Sequence, residues 1–180
     1  HLDADIESFV RNFFLYLYPI KNNFHENFNG DLKINIKKLN NKYFKNLNFK
    51  INFHQGNLNF KDVMLVLNKI GKINFSDIEY IEREEMLFLK SKLEVTVENQ
   101  DEFYKRFLVR KENKINLSKI YSYLETNIDK NEYFLGKIYF NNKPKSFTKH
   151  NDTNIKFTKI ENYHRLSKII KNELKEINLD

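Results

Sequence analysis

Apolar and polar residues alternate in several stretches of the chain, and this period of two is typical of a β-strand with one dry and one wet face. In residues 47–53 the sequence LNFKINF places leucine, isoleucine and phenylalanine at every second position, with asparagine and lysine between them. Residues 86–98 are the longest such stretch. A doubly wound fold needs strands alternating with helices, and that pattern does not appear, so we expect an antiparallel sheet.

The four glycines open one repeated phrase: Gly, a polar residue, Leu or Ile, any residue, then Ile or Phe. The phrases begin at Gly30, Gly56, Gly71 and Gly136, and we expect their apolar positions to share one side of the sheet.

A two-residue hairpin loop at Gln55-Gly56 would set His54 opposite Asn57, Phe53 opposite Leu58 and Ile51 opposite Phe60. The alternation slips by one residue at Lys61-Asp62, which predicts a β-bulge there.

The predicted fold class is mainly β (α+β): a long, curved antiparallel β-meander with an apolar concave face and amphipathic helices at both ends. Residues 1–20 are interpreted as an N-terminal amphipathic helix, residues 21–160 as the sheet or groove with a short helix near 100–109, and residues 161–180 as a C-terminal helix. In the short helix, Phe103, Phe107 and Leu108 are expected to face inward. Helical spacing gives the last helix an apolar stripe, formed by Tyr163, Leu166, Ile170, Leu174 and Ile177.

The chain has a net charge of +7 and no cysteine, which excludes disulfides and thiolate metal sites. The cations are nearly all lysines, evenly spread, and the abundance of Asn, Lys, Ile and Phe is what an AT-rich genome produces. Single-strand nucleic-acid sheets present aromatic residues beside cations, whereas most aromatic residues here fall on the dry faces. We therefore expect no nucleic-acid partner, although the sequence leaves open which face carries Tyr43, Tyr121, Tyr123 and Tyr139.

No phosphate-binding glycine loop, nucleophile elbow or zinc-protease motif occurs in the sequence. The five histidines never stand at ligand spacing. We accordingly predict no catalytic residues, no metal, no cofactor and no enzymatic activity. The alternative is an enzyme whose site lies on loops, with polar groups that converge in one pocket.

The run NGDLKINIKKLNNKYFKNLNFKINFHQGNLNFKDVMLVLNKIGKINFSDIEY resembles the C-terminal region of the AsmA-like family in its low-GC bacterial forms. The matching strands are residues 30–36, 47–53, 56–60 and 71–75, and the resemblance extends over roughly residues 28–140. It implies a periplasmic protein held in the inner membrane by an anchor upstream of this segment. It also implies a long apolar β-groove for phospholipid transport or outer-membrane biogenesis, with partner proteins unspecified.

On this interpretation the groove binds phospholipid on the apolar sides of the strands. The candidate lining residues are Leu32, Ile34, Ile36, Leu47, Phe49, Ile51, Phe53, Leu58, Phe60, Ile73, Phe75, Leu87, Leu89, Leu93, Val95, Val97, Ile138 and Phe140. The alternative is a binding or structural module with a protein or nucleic-acid partner, in which the end helices close the same face into an ordinary core. Sequence alone leaves the choice between a groove and a closed core open.

Overall fold

The computed structural model describes residues 27, 29–37, 44–55, 57–144, 147 and 155–177. Its elements, in chain order, are β1 (Gly30–Ile36), β2 (Phe44–His54), β3 (Asn57–Leu67), β4 (Gly71–Arg83), β5 (Met86–Val97), α1 (Gln100–Arg106), a 3-10 turn (Lys111–Asn113), β6 (Lys119–Asn127), β7 (Glu132–Leu135), β8 (Tyr139–Phe140), β9 (Thr158–Ile160) and α2 (Tyr163–Ile177). The predicted N-terminal helix lies outside the described residues.

Within the described residues, the strands form one nine-stranded antiparallel sheet in the order β1 to β7 and then β9, with β8 beside β6. Neighbours in the sheet are thus neighbours in the chain along most of its width. Short turns connect β3 to β4, β4 to β5 and β6 to β7, whereas α1 and the 3-10 turn lie between β5 and β6. The prediction of a mainly β, antiparallel meander with a C-terminal helix is confirmed.

The predicted hairpin register is also confirmed. Phe53 pairs with Leu58, and Ile51 pairs with Phe60. The register shifts between the Asn48 and Lys50 pairs, and Asp62 has a φ of 54°, so the expected bulge lies where the alternation slips. The bulge restores Val63 to the apolar face, where it is buried.

Two predicted elements differ from the structure. The sequence of residues 133–140 predicts one strand, but the structure has two, β7 and β8. Leu135 pairs with Leu124 and Tyr139 with Tyr121, so that three residues oppose two residues of β6 and the regular pairing is interrupted. The helix expected over 100–109 ends at Arg106. Leu108, predicted to face inward, has a φ of 53° and is 70 % exposed. The prediction for Leu108 is wrong because the helical period stops before that residue.

Candidate functional site: the apolar face of the sheet

Strand register brings the apolar halves of the glycine phrases onto one face. Leu32 pairs with Ile51, and Ile51 pairs in turn with Phe60. Farther along, Ile73 pairs with Val95, which pairs with Ile120 beside Phe140. Because directly paired residues point to the same side of a sheet, this face is continuous from β1 to β8.

The candidate lining residues fall into three groups by exposure. The buried ones are Phe49, Ile51, Phe53, Leu58, Leu87, Val95, Val97, Ile138 and Phe140. The half-buried ones are Ile34, Ile36, Leu47, Phe60, Ile73, Phe75, Leu89 and Leu93. Leu32, on the edge strand, is 46 % exposed. Leu32 is therefore the most exposed of the candidate lining residues.

The C-terminal part of the face is closed by helices. Phe103 and Tyr104 of α1, together with Ile170 and Leu174 of α2, pack in one buried cluster with Val95 and its neighbours. Leu174 is fully buried, at 0 % exposure. In this half of the sheet the apolar face is an ordinary packed core.

The N-terminal part of the face forms a second cluster centred on Ile51. Within the part of the chain that the structure describes, its members are all strand residues. Phe60 and Tyr80 lie at its border, with ring centroids 6.0 Å apart. Burial raises the pKa of the Tyr80 hydroxyl, because an apolar environment disfavours phenolate. The border of this cluster is therefore dry enough to disfavour charge.

The opposite face carries a buried polar and aromatic layer that the sequence analysis did not assign. Tyr121 and Tyr123 lie beneath Phe147, with ring centroids 5.6 and 4.8 Å from it. Lys92 donates to the Phe147 carbonyl at 2.9 Å and to Asp77 at 2.5 Å. The signal was present in the alternation of 120–124, where Ile120, Ser122 and Leu124 share the apolar face and both tyrosines share the other.

The opposite face also carries ion pairs. Arg83 donates to Glu125 through both terminal guanidinium nitrogens, at 3.3 and 2.5 Å, and Glu125 is only 6 % exposed. Glu94 accepts a hydrogen bond from Lys119, which raises the pKa of that lysine. Because Tyr121 and Tyr123 are covered, the exposed lysines are not interleaved with a stacking platform of those rings.

The described residues contain no group of three or more His, Asp or Glu side chains that could hold a metal ion. None of the described helices combines the length and apolar character needed to cross a membrane. Comparison of the chain with protein-family models, with curated proteins and with solved structures gave no match.

Proposed function

We propose that this chain is a non-enzymatic β-sheet segment of a bacterial envelope protein, and that the N-terminal half of its apolar face binds the acyl chains of phospholipids. The observation that carries the proposal is the division of the apolar face. Its C-terminal half is packed against α1 and α2. The Ile51 cluster consists, among the described residues, of strand residues alone, and Ile51 pairs with Leu32, which is 46 % exposed on the edge strand.

The dimensions of β2 and β3 suit an acyl chain. Each strand has 11 residues, which corresponds to about 36 Å of extended backbone. An acyl chain lying along them would gain about 0.8 kcal/mol for each methylene that leaves water. Leucine, isoleucine and phenylalanine supply that surface without any catalytic group, which agrees with the resemblance of residues 28–140 to the AsmA-like family. A periplasmic location and an upstream inner-membrane anchor belong to the same proposal.

The second candidate is a module with a closed core that binds another macromolecule. The full burial of Ile51, at 0 % exposure, favours this second candidate, because a surface that binds lipid should be accessible to it. The two candidates differ in whether lipid reaches the border of the Ile51 cluster.

A photo-crosslinking experiment separates them. A benzophenone amino acid replaces Phe60 on the apolar face or, as a matched control, Tyr139 on the opposite face; both side chains are half-buried. The protein is produced in bacteria, irradiated in the membrane fraction and analysed by intact mass spectrometry. We expect an adduct of phospholipid mass at position 60 and none at position 139. Adducts at neither position would support the closed core, and equal adducts at both would contradict a lipid site on this face.

A further inference from the structure

The turn that follows α1 exposes the most accessible large apolar side chain among the described residues. Leu108 is 70 % exposed, and it occupies the left-handed region, with a φ of 53°. The left-handed region is unfavourable for a leucine, because its Cβ approaches the backbone too closely. An exposed leucine in an unfavourable backbone conformation calls for an explanation outside the core.

The local hydrogen bonds show why the backbone turns there. The amide of Val109 donates to the carbonyl of Tyr104 at 2.9 Å, and the amide of Leu108 donates to that of Lys105 at 3.3 Å. This pair of bonds is the Schellman motif, in which the left-handed residue is usually glycine. Val109 and Tyr104 are both buried, as the apolar contact of that motif requires. Leu108 therefore stands where a helix of this kind normally ends in glycine.

Helix α2 holds the turn in place. Tyr163 donates from its hydroxyl to the Arg106 carbonyl at 2.5 Å, and Ser167 donates to the Phe107 carbonyl at 2.8 Å. The rings of Phe107 and Tyr163 stack at 5.7 Å, and Tyr163 is itself 45 % exposed. The two residues that precede Leu108 are thus fixed to α2.

The surrounding segment is strongly basic. We call residues 105–114 the basic loop: it holds Lys105, Arg106, Arg110, Lys111 and Lys114 against one acid, Glu112. All of these cations except Arg106 are exposed. Arg110 and Glu112 are 3.9 Å apart with side chains 81 % and 65 % exposed, so that their ion pair is weak in water and does not hold Arg110 in place.

We propose that the basic loop docks on an anionic phospholipid bilayer, with Leu108 inserted among the acyl chains and the flanking cations at the headgroups. Charge complementarity favours this partner, because the negative surface potential of an anionic membrane attracts the cations of the basic loop. Insertion of an apolar side chain among the acyl chains adds affinity that a soluble polyanion cannot provide. The proposal does not rest on the acyl-chain site of the sheet. It concerns a different surface, and vesicle binding can succeed or fail independently of lipid adducts at Phe60.

The test measures co-sedimentation of the full chain with vesicles of phosphatidylglycerol and phosphatidylcholine, and with vesicles of phosphatidylcholine alone. We expect binding to the anionic vesicles that weakens with added salt. Leu108→Gly should lower the partition coefficient about tenfold, because one large aliphatic side chain no longer leaves water. Ile177→Gly, at a helix end where the side chain is 43 % exposed, is the matched control and should leave binding unchanged.

Charge reversal tests whether the cations of the basic loop contribute to vesicle binding. Lys111→Glu should weaken binding about tenfold, since two unit charges change at the membrane surface. Lys130→Glu, at an exposed lysine in the β6–β7 turn, should have little effect. Equal losses for the two lysine variants would overturn the assignment of the docking surface to the basic loop.

Insertion itself has a direct readout, because the chain contains no tryptophan. The emission of the Leu108→Trp variant should shift to shorter wavelength on anionic vesicles, while that of Ile177→Trp should not. Absence of vesicle binding, or vesicle binding without the Leu108→Trp shift, would overturn the proposal. Binding of RNA with equal affinity by the native chain and Leu108→Gly, without vesicle binding, would instead identify a nucleic-acid partner.

Discussion

Gly71 occupies a position that only glycine fits. Its φ is 154°, and a Cβ placed there would lie 2.0 Å from the carbonyl oxygen of Thr96. The neighbouring Ile70 carbonyl accepts from the amides of Glu98 and Asn99 at 2.8 and 3.0 Å, so the backbone is drawn close to β5 at this point. Gly30 opens the same sequence phrase, yet a Cβ there would meet nothing within 4 Å.

Alanine substitution should therefore separate the two glycines. We expect Gly71→Ala to lower the free energy of unfolding by about 2–4 kcal/mol, because the new Cβ strains the backbone and pushes β4 from β5. Gly30→Ala is the control and should change stability by under about 0.5 kcal/mol. Urea titration followed by circular dichroism measures both. Equal losses would show that the close approach at Gly71 carries no energetic cost.

Leu108 offers the reverse prediction, a substitution that stabilises the fold. Leu108→Gly should raise the free energy of unfolding by about 1 kcal/mol, since glycine adopts the left-handed conformation freely and the lost side chain packs little. In a chain of this size that gain corresponds to a Tm increase of about 2–4 °C. Together with weaker vesicle binding, it would show that Leu108 serves binding at the expense of stability. A lower Tm would contradict this interpretation.

At the scale of elements, α2 closes the C-terminal core through a narrow stripe. Of the five apolar residues expected to face the core, Ile170 and Leu174 are buried and Leu166 is partly buried. Tyr163 and Ile177 are 45 % and 43 % exposed, because they lie at the ends of the helix. The helical period of 3.6 residues per turn thus predicted which residues form the stripe, but it does not predict where the core beneath the helix ends.

Truncation along this stripe should follow burial. Leu174→Ala should cost about 2–5 kcal/mol of stability, because it leaves a cavity under α2, whereas Ile177→Ala should cost well under 1 kcal/mol. Thermal unfolding measured by calorimetry compares the two variants. Similar losses for both would mean that α2 does not pack on the sheet in solution as described.

Glu173 adds a pH dependence to the same helix. Burial raises the pKa of its carboxyl group, Glu176 raises it further, and Lys137 opposes the shift. Because the pKa of Glu173 is higher in the folded state than in the unfolded state, its protonation stabilises the fold. This contribution to the free energy of unfolding is complete at acidic pH. That contribution is lost as pH rises through the folded pKa.

Replacing Glu173 by glutamine should consequently raise the Tm near pH 7 and change it little near pH 3, where the native carboxyl group is already neutral. Glu161→Gln, at an exposed site before α2, provides the control for removing one negative charge. A Tm gain of the same size at both pH values would exclude titration of Glu173 as its cause.

At the scale of the whole molecule, the sheet is protected unevenly. Val95 and Val97 of β5 lie under the helices, and Lys92 on the other face of the same strand lies beneath Phe147. In contrast, the first four residues of β1 are all exposed, and β1 forms one edge of the sheet. Stability should thus be greatest in the middle of the sheet and least at β1.

Native-state hydrogen exchange can test this gradient. We expect the amides of β5 and β6 to exchange only through global unfolding, and those of β1 to exchange through local opening that costs several kcal/mol less. Leu174→Ala should accelerate β5 and leave β1 unchanged. Exchange of β1 as slow as that of β5 would indicate that another surface covers this edge in solution.

Much of this architecture could be predicted because it depends on neighbours in the chain. Alternation placed Ile51 and Phe60 on one face, and the turn at Gln55 set their register, since a two-residue hairpin leaves one choice of pairing. Even the bulge beside Asp62 appeared as a slip in the pattern. These features follow from the two-residue period of the strand and need no distant contact.

The tertiary structure decided what covers each face and where each helix stops. The apolar pattern of Val95 is the same as that of Leu32, yet α2 buries the first and the sheet edge exposes the second, because burial depends on elements distant in sequence. Helical spacing likewise directed Leu108 inward, whereas the Schellman turn and its contacts with α2 direct it outward. The sequence thus determined which residues form the apolar face. Only packing decided that helices close one half of that face and that Leu108 points into solvent.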